Sequence, residues 1–63
     1  MTPLQADICV HKTRYMFKRG WRNYVFKEFD LSTGTFVVED TNSILYKFKD
    51  IGRFFDFMDK GPT

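Results

Sequence analysis

A single cysteine, Cys9, and a single histidine, His11, stand in a chain of 63 residues, and that scarcity limits the fold more than any other feature. A domain this short buries only about 60% of the surface its unfolded chain exposes, while ordering each residue costs about 1.5 kcal/mol. Chains of this size compensate with disulfides, a structural metal, subunit contacts or unusually heavy core residues. One thiol excludes an internal disulfide, and Cys9 with His11 falls short of the ligand set of a structural zinc site. Aromatic bulk and partners remain. The chain has eight Phe, three Tyr and one Trp, each able to bury about 150–250 Å². The core can therefore be large for the length, with aromatic surface left over.

Charge is separated along the chain. From Ile8 to Lys27 stand Lys12, Arg14, Lys18, Arg19, Arg22 and Lys27 with no acid, interleaved with Tyr15, Phe17, Trp21, Tyr24 and Phe26. From Glu28 to Tyr46 the sign reverses, with Glu28, Asp30, Glu39 and Asp40 and no Lys or Arg. The formal net charge of +2 hides this division. A basic, aromatic-rich lobe beside an acidic one suits a polyanion or a second copy of the same chain.

No uninterrupted apolar run exceeds three residues, too short for a membrane-spanning helix, and residues 1–7 lack the basic start and apolar stretch of a secretory signal. A soluble protein is expected. The lone thiol fits a reducing, intracellular setting and a cytoplasmic location. The initial Met and the Gly61-Pro62-Thr63 tail suggest a complete small gene product.

The clearest element is C-terminal. Ile51, Phe54, Phe55 and Met58 fall at i, i+3, i+4 and i+7, one face of an α-helix. Asp50 is suited to cap it, Lys60 to its last turn and Gly61-Pro62 to stop it; the expected helix covers 50–60, with Phe57 off the core face. Gly52 in the first turn weakens it. Aromatic and β-branched residues predict strands over 23–30 and 35–40, joined by Leu31-Ser32-Thr33-Gly34 as a hairpin. Thr41-Asn42 turns the chain into a strand over 43–48. Thr2-Pro3-Leu4-Gln5 has the form of a helix start, but Ile8, Cys9, Val10, Thr13 and Tyr15 favour extended structure, and a strand over 8–18 is expected. The fold class is then α+β: a single domain over 1–63, with a three- to four-stranded antiparallel meander packed by one C-terminal helix.

One helix covers one face of such a sheet, and apolar residues fall on both. Tyr24, Phe26, Phe36 and Val38 do not share strand parity with Val25, Phe29, Val37 and Leu45. Sheets with one wet face normally alternate cleanly, so the second face should be occupied by the N-terminal segment, a second subunit or a flat apolar ligand.

Catalysis finds little support. Asp56 and Asp59 lie off the apolar face of the helix and suit a solvated surface. Ser32 and Thr33 belong to a turn, where hydroxyls serve the backbone, and a triad would have to use His11. Cys9 and His11 would be same-face neighbours on a strand, a thiolate–imidazole pair or two metal ligands, but two ligands do not make a site. The four glycines are scattered and form no phosphate loop. No catalytic residue, metal or cofactor is expected.

The basic, aromatic lobe is the constellation that carries function. Cations neutralise phosphates and aromatic faces stack on unpaired bases. The expected function is a non-enzymatic module binding DNA or RNA through a sheet face or the first turn. Arg14, Lys18, Arg19, Arg22 and Lys27 are the candidate phosphate contacts, and Trp21, expected at a loop tip, is the stacking candidate. Lys47, Lys49 and Arg53 extend the patch only where the last strand lies near the first. No motif ties the chain to a named family; small sheets backed by a helix read DNA in integrase arm-type domains, an analogy of fold alone. The compact form also suits a phage or mobile-element accessory protein. The alternative is a homo-oligomeric protein-interaction module held by spare aromatic surface and complementary charge.

Overall fold

Thr2 starts a helix that runs through the segment 8–18 expected as a strand. In the computed structural model, which describes residues 1–59, Thr2 is extended and its hydroxyl accepts the Gln5 amide at 3.2 Å, while Gln5 Oε1 accepts the Thr2 amide at 3.0 Å. This reciprocal pair, with Pro3 in the first helical position, nucleates α1 (Pro3–Lys18). Burial follows a helical period through Ala6, Cys9, Thr13 and Met16. The strand preference of Ile8, Val10 and Thr13 gives way because β-propensity is mostly a packing preference, and here the packing partners lie along one helical stripe. The buried Thr13 hydroxyl donates back to the Cys9 carbonyl at 2.8 Å and is satisfied within the helix.

Three strands follow, β1 (Tyr24–Asp30), β2 (Thr35–Asp40) and β3 (Leu45–Phe48), in an antiparallel sheet of order β1-β2-β3. Two aspartates shape the turns. Asp30 Oδ1 accepts the Ser32 amide and hydroxyl at 2.9 and 2.6 Å, and Asp40 Oδ1 accepts the Asn42 and Ile44 amides at 2.8 and 2.9 Å. The second turn takes up Ser43, at φ 66°, and Ile44, so β3 starts two residues later than expected. Gly34, at φ 68°, closes the first turn where a Cβ would come within 2.8 Å of the Met1 carbonyl oxygen. The Met1 nitrogen donates to the Gly34 and Lys49 carbonyls, fastening the start of α1 to this end of the sheet.

The parity conflict is resolved by a bulge. Phe26 pairs with Val38 and Glu28 with Val37, leaving Lys27 as the extra residue. The shift puts Phe29 on the same face as Tyr24, Phe26, Phe36 and Val38, joined by Tyr46 and Phe48 from β3. Both helices pack on this face: Ala6, Cys9 and Met16 of α1 form one core with Phe36, Val38, Phe54 and Met58. The N-terminal segment thus shares the inner face with the C-terminal helix. The outer face carries Val25, Glu28, Glu39, Leu45 and Lys47 around Val37, whose exposure is only 2%.

Helix α2 (Ile51–Asp59) starts at Asp50, whose carboxylate accepts the Arg53 amide at 3.0 Å. Lys60 and the Gly61-Pro62 stop lie outside the described residues. Phe54 and Met58 are fully buried, as the spacing requires. Phe57, expected off the core face, instead packs against Tyr24, Phe48 and Tyr46, with ring centroids 4.7, 5.0 and 5.6 Å away. The helix sits in the corner between the sheet and α1, so its buried arc is wider than one stripe: Phe57 meets the sheet while Phe55 lies under Lys12 of α1. Among the described residues, no helix is long and apolar enough to cross a membrane.

Two tests follow from this packing. Phe54→Ala should cost about 3–5 kcal/mol, enough to unfold a domain of this size, with smaller losses for Phe55→Ala and Phe57→Ala; thermal melts give the ranking. The Asp30 carboxyl is lowered from its ordinary value first by the Ser32 hydroxyl and amide, and the Asp40 carboxyl first by the Ile44 amide. Below the ordinary aspartate range the unfolded chain binds these protons more readily than the native one, so stability is lost as pH falls through the lowered native values. The melting temperature should drop on acidification, and less steeply in Asp40→Asn.

Candidate nucleic-acid interface

The end of α1 and the turn after it gather most of the predicted cations. Arg19 caps the helix, Gly20 takes φ 99°, and the chain folds back as the Trp21 amide donates to the Met16 carbonyl at 3.0 Å. Amides of Arg19 and Gly20 bond to the Tyr15 and Phe17 carbonyls, so the turn is tied to the last helical turn. Lys18 and Arg19 also complement the negative end of the helix dipole. Arg14, Lys18, Arg19 and Arg22 are all exposed.

Two of the arginines rest on aromatic rings. The Arg19 guanidinium lies 5.5 Å from the Tyr15 ring centroid and donates to the Tyr15 hydroxyl at 3.0 Å. The Arg22 guanidinium lies 5.0 Å from the Phe17 centroid, with Nε 3.4 Å from the Phe17 carbonyl oxygen. Tyr15 and Phe17 remain 53% and 39% exposed. These cation–aromatic pairs hold the guanidinium groups near the surface in restricted geometry. Tyr15 and Phe17 stand among the interleaved aromatics of the sequence but not among its candidate contacts; the i, i+4 spacing of Tyr15 and Arg19 is visible once the segment is read as a helix.

Trp21 does not stand free at a loop tip. It is half-buried, packs against the core and meets the Tyr24 ring edge-on at 5.2 Å. It anchors the turn and leaves part of its surface open. Arg14 lies one helical turn back, where it lines a groove between α1 and β1 with Thr13, Phe17, Tyr24, Val25 and Phe26. Lys27 is exposed in the β1 bulge, on the strand rather than on the helix end.

The condition for extending the patch to Lys47, Lys49 and Arg53 is not met, since the segment expected as the first strand is α1. β1 and β3 flank β2, so the last strand is not beside the first. Lys47 and Lys49 line a depression on the outer side of the sheet with Glu28, Asp30, Thr33, Thr35 and Val37, a surface of mixed charge. Arg53 is exposed on α2. Among the described residues, Lys12 pairs with Asp59 at 3.6 Å and His11 Nε2 lies 3.7 Å from Asp7 Oδ2, while Arg14, Lys18, Arg19, Arg22 and Lys27 form no ion pair.

The helical form of residues 3–18 also separates Cys9 from His11, which a strand would have placed on one face. Two positions apart on a helix they point to nearly opposite sides: Cys9 is fully buried and His11 is exposed beside Asp7. No group of three His, Cys, Asp or Glu among the described residues is placed to hold a metal ion. Burial pushes the Cys9 thiol from 9.0 up to about 11, which opposes formation of the reactive thiolate.

No family model matches the chain, and neither a search of curated proteins nor one of solved structures finds a significant relative.

Cys9 should react with a thiol reagent at pH 8 only as fast as the protein opens, and at full speed in denaturant. A native rate equal to the denatured rate would contradict its burial. Between about pH 9.0 and 11 the native chain retains a proton that the unfolded chain releases, so stability should fall as pH rises across that window.

Proposed function

We propose that this protein is a non-enzymatic binding module of the cell interior that takes DNA or RNA on the C-terminal end of α1 and the turn after it. The observation that carries this reading is the exposure of Arg14, Lys18, Arg19 and Arg22, none of them in an ion pair among the described residues, with the open rings of Tyr15 and Phe17 beside Arg19 and Arg22. The cations serve phosphates, with counterion release supplying most of the affinity. The aromatic rings and the open part of Trp21 serve unpaired bases. The first turn is favoured over the open sheet face, because that face mixes Glu28, Asp30 and Glu39 with Lys47. Lys27 joins only where the nucleic acid follows the β1 edge. A second reading, self-association, is favoured by one observation, the exposure of that edge.

Titration of labelled oligonucleotides against salt tests the proposal. Log affinity should fall with log salt by about 0.9 per phosphate contact on duplex and about 0.7 on single strands. Arg19→Ala or Arg22→Ala should weaken binding to all sequences alike and make the slope shallower by about one unit. Tyr15→Ala should cost about 1–3 kcal/mol on single strands with little change in slope; it is a cleaner probe than Trp21→Ala, which would also remove a core contact. Absence of binding to duplex and single strands at low salt would dismiss the proposal.

A further inference from the structure

Strand β1, like β3, is an edge of the sheet. Val25, Phe26, Lys27 and Glu28 are all exposed, Val25 at 41% and Phe26 at 39%. An unpaired edge presents a row of amides and carbonyls to any chain that can pair with it. Natural edges are blunted by bulges and by lysine, and Lys27 in the bulge is such a device when it stands alone. It does not stand alone, because Glu28 follows it.

We propose that two copies of this chain pair antiparallel through their β1 edges, about a two-fold axis normal to the sheet and centred between Lys27 and Glu28, giving a continuous six-stranded sheet. The register is chosen by charge and by face. Centring the axis on Lys27 sets lysine against lysine, and centring it on Glu28 sets glutamate against glutamate, both destabilising between directly opposed residues. Centring it between them sets Lys27 against Glu28 twice, once on each side of the axis. The same register brings Phe26 opposite the partner copy's Phe29. Both belong to the inner face because of the bulge, so the inner faces of the two copies are continuous. Without the bulge these two positions would lie on opposite faces of the sheet, and the pairing would fail. The pairing is isologous, as a two-fold contact requires; it takes Lys27 and the β1 edge away from nucleic acid but leaves Lys18 and Arg19 at the end of α1 and Arg22 in the turn after it, doubled in the assembly.

Charge reversal tests this directly, with solution mass by light scattering or sedimentation as the readout and circular dichroism as the control for folding. The wild-type chain should show a concentration-dependent rise toward twice its 7.6 kDa mass. Lys27→Glu sets glutamate against glutamate and Glu28→Lys sets lysine against lysine, so each variant alone should stay monomeric. An equimolar mixture of the two should recover the dimer, and so should the double variant K27E/E28K. A wild-type chain monomeric at every concentration would overturn the proposal and leave Lys27 as a guard of the edge. A wild-type dimer unaffected by either single reversal, or a mixture that fails to recover, would place any association on another surface. Arg19→Ala, which leaves Lys27 and Glu28 in place, separates the two proposals: it should lose oligonucleotide affinity and keep the dimer.

Discussion

The contact between Phe36 and Phe54 holds the rest of the structure in place. Both rings are fully buried, 5.0 Å apart and nearly edge to face. One comes from the central strand and the other from the C-terminal helix, so the contact ties the middle of the sheet to the layer above it. Phe26 stacks on Phe36 at 5.2 Å and Phe48 meets Phe54 at 5.3 Å. From Phe48 the rings continue through Phe57 and Tyr24 to Trp21. Aromatic pairs of this geometry add about 0.5–1.5 kcal/mol each beyond the area they bury. In a chain whose one cysteine can close no internal disulfide, that succession serves as the staple. It also ends at the turn that carries Arg19 and Arg22, so the rigidity of the core extends to the candidate interface.

The bulge at Lys27 is the second constraint. Strict alternation along β1 would place Phe29 on the outer face and leave an apolar surface for which the chain has no cover. One extra residue moves it inward, and the outer face is left with Val37 sunk between Glu28 and Lys47. The sheet can then be wet on one side, and both helices can share the other. The bulge also sets which side chains the exposed edge offers to a neighbour. The acids that balance the basic lobe are divided by the same arrangement. Asp30 and Asp40 hold turns together, whereas Glu28 and Glu39 face outward on the sheet.

Much of the fold was legible locally. The hairpin from Tyr24 to Asp40 and the helix after Asp50 follow from alternation, turn residues and an apolar stripe, each specified within a few positions. The segment from Thr2 to Lys18 carried two conflicting local signals, a capping box at its start and β-branched residues through its middle. The cap was readable, and its weight was not, because helix or strand was decided by whether one stripe of the segment met a core. Phe57 escaped for a related reason. A helix lying against one surface buries one stripe, but α2 lies against two.

For the candidate site, the sequence by itself determined that cations and aromatics are interleaved and that acids are excluded from the same stretch, since both are properties of order along the chain. It determined too that no disulfide closes within the chain, since there is one cysteine. Only the tertiary structure decided which of these residues act together. Coiling residues 3–18 into a helix set Arg19 over Tyr15 and carried His11 away from Cys9. The strand order put β2 between β1 and β3 and left Lys47 on the far side of the sheet from the helices. Proximity between side chains far apart in sequence depends on how elements pack, and packing is settled by the sum of many distant contacts that no short stretch of residues contains.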